Sequence, residues 1–224
     1  NDGVLYFAMK RVAGEDLFQI IKRMAQGDDE TLSTHSIEFL LEIVVQACQA
    51  LAFAHRHGVI HRDVKPENTW VGNFGEVLLL DWGVAKVWGV LDDEDERIPI
   101  QSLNKADDEQ LQTLTQSGQM PGTPLYMSPE QVLGHKYIDE RSDIFSMGVV
   151  LYELLCFREP FRGPTIRHTF DRIVNDNPIE PRSIAPQREI PEEVQRICLK
   201  ALSKDPSERF QSVTQLINAL RECF

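Results

Sequence analysis

The apolar positions of this chain change their spacing several times, and each change predicts an element. A continuous apolar run, VLYFAM (Val4 to Met9), reads as a strand. After Gly14 the segment EDLFQIIKRM carries Leu17, Ile20, Ile21 and Met24 at the spacing of one helical face, which predicts a short helix. DDETLST (Asp28 to Thr34) has no such face and reads as polar loop, with Ser33 or Thr34 capping a long helix that runs to His57 and stops at Gly58. TWV and EVLLL flank the turn residues GNFG, so Thr69 to Leu80 reads as a hairpin. Residues 87 to 121 mix the acidic clusters DDEDE and DDE with TLTQSGQ, show no period, and read as a mobile loop. Further on, helices are predicted at Ser142 to Cys156, Ile166 to Asn175, Pro191 to Ser203 and Gln211 to Glu222, punctuated by Pro160, Pro178, Pro181, Pro186 and Pro206. The second half is therefore mostly helical, and no internal repeat is visible.

Composition narrows the class. At 224 residues and 42% hydrophobic, the chain is long and apolar enough for one large globular domain with a substantial core. A net charge of −12 argues against non-specific nucleic-acid binding and favours basic partners, or else a plain solvated acidic surface. Cys48, Cys156, Cys198 and Cys223 lie far apart without CxxC spacing, mostly in apolar helical patterns. They read as buried free thiols of a reducing compartment, so a cytoplasmic location is expected, with any membrane tether outside this chain. The most apolar segment, Ile37 to Ala54, is interrupted by Glu38, Glu42, Gln46 and Gln49, which predicts an amphipathic core helix and no membrane segment. No signal peptide is visible. A chain that starts at Asn1 without methionine and enters a strand at once is expected to be a piece of something longer.

The candidate chemistry sits in VIHRDVKPENTWVGNFGEVLLLDWGVAK, Val59 to Lys86. Asp63 and Asn68 lie in a loop leading into a strand, and Asp81 stands at the far end of the hairpin, so strand pairing brings all three to one edge. A carboxylate and an amide oxygen are hard donors suited to Mg2+ (or Mn2+), which shares itself with phosphate oxygens, and Lys65 can neutralise a phosphoryl group in flight. Asp63 is then left to accept or orient the proton of an attacking hydroxyl, and the sum is phosphoryl transfer. Each aspartate alone reads equally well as a turn former or helix cap. Order and spacing carry the argument.

HRDVKPEN followed by DWG, then GTPLYMSPE, RSDIFSMGVVLYEL and DPSERF, resembles the protein kinases over essentially all 224 residues, and most of all the bacterial kinases of eukaryotic type. The resemblance implies an α+β, protein-kinase-like fold: a mainly helical C-terminal lobe with short β-hairpins over residues 15–224, its activation segment at 81–130. Residues 1–14 would be the last strand of the N-terminal lobe and the hinge, with that lobe otherwise largely absent. It implies that Asp63 is the catalytic base, that Lys65 contacts the transferred phosphate, and that Asn68 and Asp81 hold Mg2+. Arg62 would pair with an activation-loop phosphate, for which Thr113, Thr115 and Ser117 are the candidate acceptors. Lys65, and Thr123 within GTPLY, resemble the Ser/Thr-directed class. Met9 resembles the gatekeeper, the backbone of Lys10 and Val12 the adenine-binding hinge, and Asp16 the acid that meets the ribose; a core methionine and a first-turn acid are the plain alternatives. Glu130 and Arg209 resemble a buried ion pair fastening the activation segment, while Asp143 would cap its helix and brace the catalytic loop.

Three positions depart from the family pattern. Trp82 replaces the usual phenylalanine and brings an N–H that needs a partner; Ser128 replaces the usual alanine. By the resemblance Trp70 would occupy the floor under adenine, where it would narrow the pocket or stack on the base, or else simply pack in the hairpin. No GxGxxG loop exists in the chain, and nothing matches the family's strand lysine or helix glutamate. The expectation is a Ser/Thr protein kinase domain using ATP and Mg2+ on protein substrates, with dimerisation or trans-autophosphorylation among its partnerships. The 224 residues alone are expected to be inactive. The alternative is a kinase-like scaffold that binds without catalysis.

Overall fold

The computed structural model describes residues 13–87 and 124–223. The predicted strand at Val4 to Met9, the hinge residues Met9, Lys10 and Val12, the polar segment from residue 88 onward with Thr113, Thr115 and Ser117, and Thr123 all lie outside the described residues.

A two-residue strand, β1 (Glu15–Asp16), leads into α1 (Leu17–Ala25), whose buried face is the predicted Leu17, Ile20, Ile21 and Met24. The polar stretch expected to be loop is instead a helix, α2 (Asp29–Thr34). Its cause is local: the Asp28 carboxylate accepts from the Thr31 N–H at 2.8 Å, and Asp29 and Glu30 sit in the first turn, where the helix dipole favours acids. Only Thr31 is buried, so no apolar face was needed. The following helix, α3 (Ile37–Arg56), is capped by Ser36, whose hydroxyl accepts from the Phe39 N–H, and not by Ser33 or Thr34. Those two hydroxyls donate back to carbonyls of their own helix, Glu30 and, for Thr34, also Thr31. By length and composition α3 is, among the described residues, the one helix able to cross a membrane, yet Leu40, Leu41, Val44, Cys48 and Leu51 bury its apolar side in the core.

The predicted hairpin is present as β3 (Thr69–Val71) and β4 (Val77–Leu79), antiparallel with Thr69 opposite Leu79 and Val71 opposite Val77. β1 joins its free edge, setting Asp16 opposite Trp70. A second small sheet pairs β2 (Val59–Ile60) with β5 (Lys86–Val87). Strands of two residues carry no readable period, so this pairing was invisible in the sequence.

The remaining α-helices of the described chain are α4 (Pro129–Val132), α5 (Arg141–Cys156), α6 (Ile166–Asn175), α7 (Pro181–Ile184), α8 (Glu192–Ala201) and α9 (Val213–Arg221). α5 is buried from Ser142 to Cys156, with α3, α8 and α9 packed around it. Gly148 permits the close approach of α8, because a Cβ there would stand 2.9 Å from that of Ala201. Each fully buried leucine, such as Leu51 or Leu151, contributes about 1.5–3 kcal/mol on the transfer scale. Cys48, Cys156 and Cys198 are buried free thiols and Cys223 is a partly exposed one. Burial pushes their titration up, to about 11 for Cys156, which keeps them as thiols.

Candidate active site

β2 hands the chain to a loop whose shape is set by one buried carboxylate. Asp143, with no solvent exposure, accepts the His61 N–H at 2.8 Å, the Arg62 N–H at 2.9 Å and His55 Nε2 at 2.7 Å. The expectation that Asp143 caps its helix is corrected: the N-cap position of α5 is Glu140, which makes no side-chain cap, and Asp143 in the first turn spends its oxygens on the loop. These bonds hold Arg62 in the left-handed region at φ 67°, where a residue with a Cβ rarely sits. Sequence reasoning missed His55. A histidine in the last turn of an apolar helix looks like any core or dipole-paired histidine, and nothing local distinguishes it.

His61 donates from Nε2 to the Leu80 carbonyl at 3.0 Å, which leaves Nδ1 to accept the Asp63 N–H at 3.2 Å. The hydrogen-bond network thus assigns its tautomer. The Asp63 side chain is nearly buried, and its Oδ2 receives Lys65 Nζ at 2.6 Å and Asn68 Nδ2 at 3.1 Å. Asn68 Nδ2 also donates to the Asp63 carbonyl at 2.8 Å. Both amide hydrogens being engaged, Asn68 keeps its Oδ1 as an acceptor for something else.

Asp81 arrives by the hairpin. The Leu80 N–H donates to the Asn68 carbonyl at 2.8 Å, extending the ladder one step and placing Asp81 beside Asn68 at the sheet's end. Its carboxylate is exposed, accepts the Gly83 N–H at 3.3 Å, and sits on a backbone with φ 58°. Trp82 finds the partner its N–H needs in the Leu79 carbonyl at 3.0 Å, and its ring lies 4.5 Å from that of His61. Asn68 and Asp81 together offer hard oxygens suited to Mg2+. Among the described residues no group of three or more His, Cys, Asp or Glu side chains could hold a metal, so a cation here would complete its shell from water and phosphate oxygens.

The remaining candidates are spread around this loop. Arg62 donates from Nε to the Val84 carbonyl at 2.7 Å, while its own carbonyl accepts from Gln131 of α4 at 2.9 Å. Asp16 is the N-cap of α1, accepting the Gln19 N–H at 3.0 Å. Trp70 is half-buried and donates to the Ala13 carbonyl at 3.0 Å, across the sheet from Asp16 and Leu78. Glu130 and Arg209 form a bidentate pair at 2.7 and 2.8 Å. Burial opposes the charge of Glu130, but the Arg209 bonds, reinforced by its backbone and Ser142, hold its carboxyl below the usual carboxylate range. Ser128 caps α4 with a full capping box, a use alanine lacks. Glu153, which sequence reasoning passed over, accepts the Tyr126 hydroxyl at 2.6 Å, and burial pushes its carboxyl up to about 7.

A carboxylate held by a lysine and an amide, with a second carboxylate beside that amide, is a donor set of the kind that phosphoryl transfer uses. The model of the protein kinase domain matches residues 1–220, and the chain belongs to the protein kinase family. It is 38% identical over 217 residues to the serine/threonine-protein kinase PknD of Protochlamydia amoebophila, covering 95% of this chain and 22% of that protein. The PknD of Chlamydia pneumoniae is 34% identical over 218 residues, again 95% and 22%. That of Chlamydia trachomatis serovar D is 33% identical over 230 residues, 99% of this chain and 24% of the relative. The chain thus spans about a quarter of the length of these relatives.

Proposed function

We propose that this chain is the hinge and C-terminal lobe of a serine/threonine protein kinase, acting in the cytoplasm and transferring the γ-phosphate of ATP to hydroxyls of protein substrates. The observation that carries the reading is the Asp63 carboxylate, held on one oxygen by Lys65 at 2.6 Å and Asn68 at 3.1 Å. A base must be positioned before it is useful, and this one is fixed by a lysine and an amide at the end of the catalytic loop, where its carboxylate would orient the acceptor hydroxyl. Mg2+, when bound, neutralises phosphate charge; Asn68 Oδ1 and the Asp81 carboxylate would hold it. Lys65, close to the base, meets the charge that develops on the transferred group. Met9, the backbone of Lys10 and Val12, and Trp70 would line the adenine site, and Asp16 would meet the ribose as well as capping α1.

Because the sequence contains no GxGxxG loop, it supplies the base and metal donors without the amide cradle for the phosphates. The 224 residues by themselves are accordingly read as inactive, and the full-length protein as active. The names of the relatives and the lysine at position 65 support Ser/Thr acceptors. Asp63→Asn in the full-length protein should lower turnover by at least a hundredfold while nucleotide affinity stays within about twofold, since the lost group acts on the acceptor. Wild-type turnover in that variant would remove Asp63 from the role of base.

A further inference from the structure

We propose that Trp82 is a positioning residue for the Asp81 carboxylate, through an indole hydrogen bond that closes the chain around Asp81. The inference rests on the reading of Asp81 as a metal donor. Trp82 Nε1 reaches back three residues to the Leu79 carbonyl at 3.0 Å, so the bond brackets Leu80 and Asp81 in a short ring. Leu80 is held on both sides, its N–H by the Asn68 carbonyl at 2.8 Å and its own carbonyl by His61 Nε2 at 3.0 Å. Downstream, the Ala85 N–H donates to the Trp82 carbonyl at 3.1 Å. Between these anchors Asp81 stands at φ 58°, in the left-handed region that aspartate enters at a modest cost, and the flanking bonds fix the backbone there.

The ring of Trp82 adds a contact with His61, at 4.5 Å between centroids. Phenylalanine could fill the same place against His61, but it has no donor for the Leu79 carbonyl. The bond is therefore the property that tryptophan alone contributes. Trp82 is 36% exposed, so water competes for the same groups and the effect is a moderate one.

The test uses the full-length protein in excess over a non-hydrolysable ATP analogue, so that little nucleotide is free to chelate the ion, with Mn2+ as the probe, read by the electron paramagnetic resonance of free Mn2+. Trp82→Phe should weaken Mn2+ binding about threefold to tenfold, with an unchanged melting temperature. Asp81→Asn should weaken it far more. In the unmutated protein without metal, the Trp82 indole N–H should exchange with solvent at least about tenfold more slowly than free tryptophan. If Trp82→Phe binds Mn2+ as the unmutated protein does while Asp81→Asn does not, the positioning role is wrong and the metal site stands. If Asp81→Asn also binds normally, the underlying site assignment fails. An unprotected indole N–H overturns the proposal without any variant, which covers the case of a Trp82→Phe protein that does not fold.

Discussion

Replacing Arg209 by alanine removes a side chain whose every donor is engaged, and the structure allows the loss to be worked out. All five guanidinium hydrogens are used: two on the Glu130 carboxylate, and three on the carbonyls of Ser203, Arg141 and Lys204 at 2.8, 2.9 and 3.0 Å. The group also lies 4.9 Å over the Phe145 ring. Arg209 is 2% exposed and Glu130 6%, so neither charge has water to fall back on. In Arg209→Ala the Glu130 carboxylate keeps the Ser142 hydroxyl at 2.9 Å but loses its counter-ion. Removing one partner of a buried pair costs about 3–5 kcal/mol, whereas an exposed pair would cost below about 1.

The pH dependence gives a second handle. In the unmutated protein the carboxyl of Glu130 is held below its ordinary 4.5, so its contribution is present above that pH and disappears as pH falls through the lowered value. In Arg209→Ala burial, the largest influence, is opposed only by the backbone and Ser142 bonds, so it raises the same carboxyl and makes the variant's deficit shrink toward acid pH. Urea melts at pH 5 and pH 8, with equal m-values as the check on two-state behaviour, measure both effects. A deficit below about 1 kcal/mol at pH 8 would refute the argument from burial. A cycle with Glu130→Ala should return a coupling above about 2 kcal/mol.

Other consequences follow from the same geometry. Glu153, raised by burial from its ordinary 4.5 to about 7, makes the folded state bind more protons than the unfolded one between those values, so its stability is lost as pH rises through 7. Glu153→Gln should flatten the stability profile over that window and gain about 3 kcal/mol at pH 8; an unchanged slope in urea melts would exclude Glu153 as the group responsible. Asp143→Asn trades one of its acceptor oxygens for an N–H donor facing the loop amides or His55, and should cost about 1.5–3 kcal/mol with a larger loss of turnover; equal losses in stability and activity would contradict a role in shaping the loop. Mass spectrometry of the full-length protein after incubation with ATP and Mg2+ should find phosphate on Thr113, Thr115 or Ser117, and an active enzyme lacking it would remove that switch.

Much of this was legible because the elements concerned are periodic or punctuated. The helical face from Leu17 to Met24, the hairpin around GNFG and the stop at Gly58 each follow from a local rule, and each is present. α2 escaped because its stability comes from a cap and two first-turn acids, with no apolar stripe to read. The pairing of β2 with β5 escaped because it joins two-residue strands far apart in sequence. At the site, residue types and order pointed to the edge where Asp63, Asn68 and Asp81 lie, since ladder geometry follows from the hairpin. The partners that hold them did not show: His55 is a long-range partner of Asp143, and no spacing rule connects α3 to α5.

α5 explains why that long-range part was hidden. A helix buried on every side has no solvent face to mark its orientation, and its apolar residues conceal what the polar ones do. Ser142, Ser146 and Glu153 fall on one face by helical spacing, with Asp143 a residue further round. Every one of them bonds outward: Ser142 to Glu130, Ser146 to the Tyr126 carbonyl at 2.7 Å, Glu153 to the Tyr126 hydroxyl, and Asp143 to the amides of His61 and Arg62. One face thus holds the segment from Pro124 to Glu130, and its neighbour holds the loop of the proposed base. Burial makes each bond costly to leave unmade, so the two loops are fixed relative to each other by a single rigid element. A substitution that shifted α5 by one residue's rotation would misplace both loops together, although no residue of α5 need touch the reacting groups.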